Sequence, residues 1–391
     1  MKKEFFKNSL TRLIQYIERD DLKGYDPYDT LNSYFPFKIF GKWGPPVAIQ
    51  FGKKNPFNIR PLMGIKKGLN PKGMGLFLKA YSIMYRLTGE NHYKEKATDI
   101  FNWLSENPSD GYSGFCWGYN FDWASPGSYH NAYTPSAVVT AFVIDGIHEY
   151  LKVFADKDAE EIIHSAAKYT DTDLPVSEFD TGLSIAYTPA SKGACYNASL
   201  LGVETLVKSA NLSHNPAYMT KCKSAVNFVL SKQKEDGSWN YSFNPDNDSE
   251  RVQIDFHQGY VVQSLYRYKK ISGDDDPAIE KAIKNGLSFY FENQFFESGR
   301  AKWRLPKLYP ADIHNQTQGI ITFSEMREYS GDYLPFAEKI AEWTINNMQD
   351  KHGFFYYQKF KAFTNKIPYI RWSQAWMMLA LTTFLEAKEE N

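Results

Sequence analysis

Two short segments hold the residue types needed to move a proton. Asp255-Phe256-His257-Gln258 and Asp312-Ile313-His314-Asn315-Gln316 each place an aspartate two residues ahead of a histidine. A carboxylate beside an imidazole fixes its tautomer and makes it a better base, so such a histidine can take up or relay a proton. The competing reading is structural, because an aspartate ahead of a helix accepts its free N–H groups. Capping accounts for Asp255 and Asp312 but does not call for imidazole. Tyr260 adds a phenol one turn after His257. Arg371 offers a planar fork for a carboxylate or phosphate, or else a salt bridge to an aspartate of another part of the chain.

Around these lie residues suited to flat, hydroxyl-rich ligands. Trp117, Tyr119, Tyr129, Tyr196, Trp239, Tyr241 and Trp372 supply aromatic faces, although core packing is the commoner use of any single aromatic. Asn131, Asn197, Gln258, Asn315, Gln316 and Gln374 supply amides, and His130 a further imidazole. Asp122 sits among aromatics in Gly114-Phe115-Cys116-Trp117-Gly118-Tyr119-Asn120-Phe121-Asp122-Trp123. There it binds a hydroxyl, acts as an acid of raised pKa, or is a turn aspartate satisfied by backbone N–H groups. A metal held by His130, His257 and His314 lacks any compact ligand spacing, and no metal or other cofactor is expected. By chemistry this is a saccharide site.

These residues are far apart in sequence, so an element pattern must bring them together. Six segments repeat at intervals of about 60 residues, each a small residue followed by mostly large apolar ones. They begin at Gly75, Ala137, Ser199, Gly259, Gly319 and Ala375. Each opens a stretch apolar nearly all round, the mark of a buried helix. A polar turn such as LTGENH or SGDDDP follows, and then an amphipathic helix. In HYKEKATDIFNWLSEN, Ala97, Ile100, Phe101 and Leu104 share one face. A glycine turn comes next, at Gly24, Gly111, Gly182, Gly237, Gly299 and Gly353. Outer helix, glycine turn, short extended segment and inner helix form the unit, with the N-terminal helix as sixth outer member. The expected fold is all-α, an (α/α)6 barrel or toroid with short hairpins and loops at one mouth, in one domain over residues 1–391. All the loops that precede inner helices emerge at that mouth, so the candidate residues meet there. An insertion at about 26–69, rich in Pro, Gly and Phe, is read as a lid, a wall of the cleft, or a plug over the seam of the ring.

Composition narrows the partners. Lys plus Arg and Asp plus Glu both number 45, so the formal net charge is +0 and no electrostatic footprint for nucleic acid is present. Aromatics reach 16 %. No stretch approaches the roughly 20 apolar residues of a membrane span. MKKEFFKNSLTRLIQYIERDD reads as an amphipathic helix and not as a signal peptide, which favours a cytoplasmic location. Cys116, Cys195 and Cys222 give neither a metal motif nor a disulfide framework.

The run from Gly114 to Tyr133, continuing through Thr134-Pro135, resembles a group of bacterial surface-polysaccharide biosynthesis proteins with a toroid fold. Tyr196-Asn197-Ala198-Ser199-Leu200-Leu201, Asp236-Gly237-Ser238-Trp239-Asn240-Tyr241 and Asp255-Phe256-His257-Gln258-Gly259-Tyr260 extend that resemblance. More distantly the architecture is similar to the six-hairpin glycosidase-like superfamily, which includes uronic-acid hydrolases, polysaccharide lyases and sugar epimerases. The resemblance implies a polysaccharide or oligosaccharide substrate and association with a polysaccharide assembly system. Phe228-Val229, Gln233, Gly237 and Trp239 also fit the QW pattern of triterpene cyclases, but Asp274-Asp275-Asp276 falls in a turn away from the mouth, so QW reads as a structural staple. Lyase or epimerase chemistry on a uronic-acid-containing saccharide matches His257, His314, Tyr260 and Arg371, with Asn197 as a further carboxylate neutraliser. The alternatives are a glycoside hydrolase pairing carboxylates from Asp122, Asp255 and Asp312, or a binding and assembly protein without catalysis.

Overall fold

Runs of small and large apolar residues with no polar face can only be satisfied inside a ring of other helices. A computed structural model of the chain, describing residues 2–125, 128–191, 193–213 and 216–390, shows that arrangement. Among the described residues there are thirteen α-helices: α1 (Lys2–Glu18), α2 (Gly44–Lys54), α3 (Pro71–Thr88), α4 (Asn91–Glu106), α5 (Ala137–Phe154), α6 (Lys157–Thr172), α7 (Tyr196–Ser213), α8 (Pro216–Ser231), α9 (His257–Ser272), α10 (Pro277–Asn293), α11 (Ile313–Glu325), α12 (Tyr333–Met348) and α13 (Trp376–Glu389). The inner ring runs α3, α5, α7, α9, α11 and α13, each packing on the next, and α13 on α3 closes the circle. Helices α4, α6, α8, α10 and α12 each cover the inner helix that precedes them, and α1 packs on α13 as the sixth outer helix. The expected (α/α)6 toroid is the observed fold.

Burial separates the two rings. Every residue of α7 from Tyr196 to Ala210 is buried, whereas α4 buries only Ala97, Ile100, Phe101 and Leu104. Where α3 crosses α5, a Cβ on Gly75 would sit 2.6 Å from the Phe142 carbonyl oxygen, and one on Gly146 would sit 2.3 Å from that of Gly75. Two glycines therefore set the spacing of these helices.

The glycine turns fasten the outer ring. A Cβ on Gly182, Gly237, Gly299 or Gly353 would strike the Ser224, Asn285, Lys339 or Arg12 carbonyl oxygen at 2.1 to 2.6 Å. Each turn therefore lies flush on the following outer helix. In the second unit Gly114 does this against Ser165, while the space beside the expected Gly111 is open. The QW residues complete the fastening: Gln233 Nε2 donates to the Gly237 and Ala282 carbonyls, and Trp239 Nε1 to that of Val229. Asp276 caps α10 and pairs with Lys223, so the triple-aspartate turn is part of the scaffold.

Roughly two to three turns along the inner helices from their N-termini, six charges form a closed cycle. Lys79, Asp145, Lys208, Glu204, Arg267 and Glu325 alternate in sign, with separations of 2.8, 2.8, 3.4, 3.2, 2.8 and 3.7 Å around the ring. Nearer the mouth, Phe142, Tyr260 and Trp376 pack on one another with centroids 5.1 to 5.8 Å apart. Polar and aromatic layers together close the axis, so the candidate residues line a blind cup and not a channel.

Candidate active site at the mouth of the ring

The two Asp-x-His segments fold alike but use their carboxylates differently. Asp255 and Asp312 both accept the backbone N–H two residues on, those of His257 and His314, at 3.2 and 2.9 Å. Asp255 also receives the His257 ring, with Nδ1 2.5 Å from Oδ1. Nδ1 is thereby the ring nitrogen that Asp255 holds, and Nε2 has no protein partner among the described residues. Burial pushes the Asp255 carboxyl up, but His257, its hydrogen bonds and Arg304 outweigh that and hold it below the usual carboxylate range.

Asp312 makes no ring contact. Its oxygens accept from Trp372 Nε1 at 3.0 Å and Gln358 Nε2 at 2.6 Å, so the expected second carboxylate–imidazole pair is a helix cap and a brace for Trp372. Burial pushes this carboxyl up, and the three N–H donors pull it back.

His314 instead pairs with Tyr260, with 2.5 Å between Nε2 and the phenol oxygen, and its buried Nδ1 has no partner. Burial first, then Lys72, Arg371, His257 and Lys53, hold its pKa well below the ordinary histidine value, so it is a neutral imidazole at neutral pH. Burial likewise lifts the Tyr260 phenol well above its usual range, keeping it protonated. Both histidine rings lie 5.9 Å from Tyr260, and Phe256 packs against His257 at 4.2 Å and His314 at 4.4 Å. Trp372 stands 4.5 Å from His314.

Arg371 is not available for a ligand. It lies in the turn of π-helix Ile370–Ala375 that leads into α13, a distortion that often marks a functional position. Its guanidinium is 2 % exposed and grips Asp26 through Nε and Nη2 at 2.6 and 2.8 Å. Its face rests 4.8 Å from Tyr119. The alternative of a salt bridge to a distant aspartate is what the chain uses.

Besides Arg371, the lysines whose charges reach His314 are Lys72 and Lys53. Lys72, in the first turn of α3, is buried, has no hydrogen-bond partner among the described residues, and stands 4.1 Å over Phe142. Burial first, then Arg371, push its pKa well down, against a pull from Asp26. Lys53 of α2 donates to the Tyr28 phenol at 2.5 Å and faces Trp372 at 5.8 Å. The insertion is tied down by Asp26–Arg371, by Arg60–Asp29 at 2.6 Å and by Asn32 to the Asn120 carbonyl.

Several expected binding residues prove to be structural. Gln258, Gln316 and Gln374 each accept the backbone N–H of the preceding extended segment, from Trp239, Ala301 and Phe355, and donate back to a carbonyl of that segment. Asn315 donates to the Lys302 and Trp303 carbonyls. Trp117 and Trp239 are fully buried, with indole N–H groups spent on the Leu104 and Val229 carbonyls. Tyr196 is buried on Glu250, and Asn197 accepts from the Cys195 thiol.

Asp122 accepts from Tyr129 and from the Ala132 N–H, as a turn aspartate does. His130 stacks on Trp123 at 4.1 Å within the hairpin of Trp123–Ser125 and Ser128–His130, and Asn131 is exposed just beyond it. Among the described residues no three His, Cys, Asp or Glu side chains are grouped to hold a metal. Tyr119, Tyr241 and Trp372 are only partly buried, as are Tyr28 and Tyr187, which sequence patterning did not single out. Tyr241 stands edge-on to His257 at 4.8 Å.

No family model and no curated protein matches the chain. Solved structures do resemble it. A cellobiose 2-epimerase from Bacillus thermoamylovorans is 15 % identical, with 82 % of this chain and 88 % of that one aligned at a TM-score of 0.65. A sugar epimerase from a ruminal bacterium is 14 % identical over 100 % of both chains, at 0.67. An unsaturated glucuronyl hydrolase specific for heparin is 12 % identical over 99 % of this chain and 98 % of that one, at 0.64. At these identities the likeness establishes the toroid fold.

Proposed function

We propose that the cup is the active site of a carbohydrate-active enzyme that shifts protons on a carboxylate-bearing saccharide, by epimerase or lyase chemistry. The observation that carries this reading is the unlike pair of imidazoles around Tyr260 and Phe256. His257 has its Nδ1 fixed by Asp255 and its Nε2 free, while His314 is neutral and bonded to a protonated phenol. Removing a proton from a sugar carbon and returning one needs a base and an acid side by side, roles open to His257 Nε2 and to the Tyr260 phenol that His314 holds. A uronate carboxylate arriving beside Lys72 would offset the burial that holds its pKa down and favour its ammonium form, a partner that Arg371, spent on Asp26, cannot be. Toroid neighbours that are epimerases and a glucuronyl hydrolase agree with a saccharide substrate.

The hydrolase alternative is weaker on geometry. All six oxygens of Asp122, Asp255 and Asp312 already accept protein hydrogen bonds, and each carboxyl holds a backbone N–H of its own loop or helix start, a bracing role that accounts for its position. A role in surface-polysaccharide metabolism beside an assembly system rests on the motif resemblance of residues 114–135, 196–201, 236–241 and 255–260.

Three product assays on a panel of neutral and uronic-acid saccharides separate the readings. A lyase creates an ultraviolet-absorbing C4=C5 double bond, an epimerase exchanges a ring proton with solvent without cleavage, and a hydrolase yields reducing ends alone. Turnover of a uronic-acid saccharide by either of the first two routes, lost in His257→Asn and His314→Asn, is the expected result. Reducing ends alone, or activity that survives both substitutions, would sink the proposal.

A further inference from the structure

The insertion carries a surface that the saccharide site does not use. Of the fourteen large hydrophobic side chains exposed among the described residues, nine lie between Tyr34 and Leu62. They are organised: Phe40, Trp43, Val47 and Phe51 recur at helical spacing along the outward side of α2 and the turn before it, while Pro45, Pro46, Ala48, Ile49 and Gly52 face inward. Trp43, Val47 and Phe51 are 56 %, 61 % and 60 % exposed. A single exposed apolar residue is ordinary, but a contiguous stripe of large ones marks an interaction surface.

The charge around the stripe is one-sided. No Asp or Glu occurs from residue 30 to residue 89, while Lys38, Lys42 and Lys54 are exposed on the helix and turn that carry the stripe and Lys66 is exposed later in the insertion. Among the described residues these four have no ion-pair partner, although the chain as a whole carries as much negative as positive charge. Four further exposed hydrophobics, Tyr133, Val252, Leu308 and Phe363, sit on loops that precede inner helices, at the same end of the ring. Only Phe5 of the fourteen lies elsewhere.

We infer that the 34–67 insertion is a docking element for an anionic lipid surface, holding the mouth of the toroid against the bilayer. Trp and Phe on one side of a short amphipathic helix enter the headgroup and acyl boundary, while lysines at its edge meet lipid phosphates and carboxylates. The sign of the charge selects this occupant. A second copy of the same basic insertion would bring like charges together, whereas an anionic membrane satisfies both the stripe and the lysines. No helix among the described residues is long and apolar enough to cross a membrane, so the contact is with one leaflet.

The test is flotation of the full chain with vesicles of phosphatidylcholine alone and of phosphatidylcholine mixed with phosphatidylglycerol, at low and high salt. Two triple variants are compared, Phe40→Ser/Trp43→Ser/Phe51→Ser and Lys38→Glu/Lys42→Glu/Lys54→Glu. All six side chains are exposed and lie outside the catalytic cup, so thermal unfolding should be unchanged. The wild type should float with the mixed vesicles, weakly or not at all with phosphatidylcholine, and less at high salt. Each variant should lose at least about tenfold in binding, since each lysine near an anionic surface contributes on the order of 1 kcal/mol. Turnover of a dissolved saccharide should not change, which keeps this test separate from that of the active site. Absence of flotation with the mixed vesicles, binding that neither variant weakens, or a dimer in sedimentation that the aromatic variant dissolves and vesicles do not displace would each overturn the inference.

Discussion

Lys72 shows how a single residue can serve the site at a cost to the fold. It is buried beside Arg371 with no hydrogen-bond partner among the described residues, and its pKa is pushed well down, by burial first and then by Arg371. A lysine depressed in this way binds its proton more tightly in the unfolded chain, so below the ordinary lysine pKa stability falls as pH falls. Lys72→Met should therefore unfold at a higher temperature than the wild type at neutral pH, and the gap should shrink as pH approaches about 10. The same variant should bind a uronate saccharide at least about tenfold more weakly, and a neutral one equally well, by calorimetry. Asp255→Asn should lower turnover, by ~10²–10⁴-fold if fixing the His257 tautomer is its role, while leaving substrate affinity nearly unchanged in the steady-state parameters.

At the scale of elements, the insertion and the π-turn before α13 are held together by a buried pair. Asp26→Asn would leave Arg371 as an uncompensated buried charge, which costs about 3–5 kcal/mol for such pairs. Urea unfolding should show that loss. Proteolysis should also cut first within residues 30–67, because the Asp26–Arg371 pair ties that segment to the helix start of α13. Where α3 meets α5, Gly75→Ala should cost about 1–3 kcal/mol through overpacking, since the added methyl meets backbone and not a flexible side chain.

Much of this element scale was legible in the sequence. The six apolar segments open or lie within the inner ring, and the outward and inward faces of α4 followed from spacing alone. What spacing could not reveal was which polar residues near the inner-helix N-termini face the cup. Gln258, Gln316 and Gln374 look like ligand amides, but the backbone of the preceding segment needs them first. The Arg371–Asp26 pair spans the closure of the ring, so no local pattern announces it. Lys72 had one available signal: a lysine in the first turn of a mostly apolar helix, where the helix dipole disfavours a cation.

For the whole molecule, the cycle of six charges joins α3, α5, α7, α9 and α11 into one unit. Burial alone would raise the Asp145 and Glu325 carboxyls, but Arg267 and Lys79, with Lys208 acting on Asp145, bring both below their ordinary values. Carboxyls depressed on folding contribute stability that is fully present above the unfolded pKa values of about 4, and that stability is lost as pH falls through the folded ones. Urea midpoints measured from neutral pH down to about 3 should fall steeply below about 4. Asp145→Asn should start lower and fall less.

The central claim is that the cup moves protons on a saccharide, and isotope exchange reaches it most directly. A uronic-acid oligosaccharide incubated with the protein in heavy water and followed by proton and deuterium NMR should acquire deuterium at one ring carbon. That carbon belongs to an inverted sugar if the reaction is epimerisation. In a lyase reaction, signals of an unsaturated sugar appear instead, and either change should be absent with His257→Asn. Unlabelled, fully saturated sugar with new reducing ends, or labelling or unsaturation that persists without His257, would contradict the account.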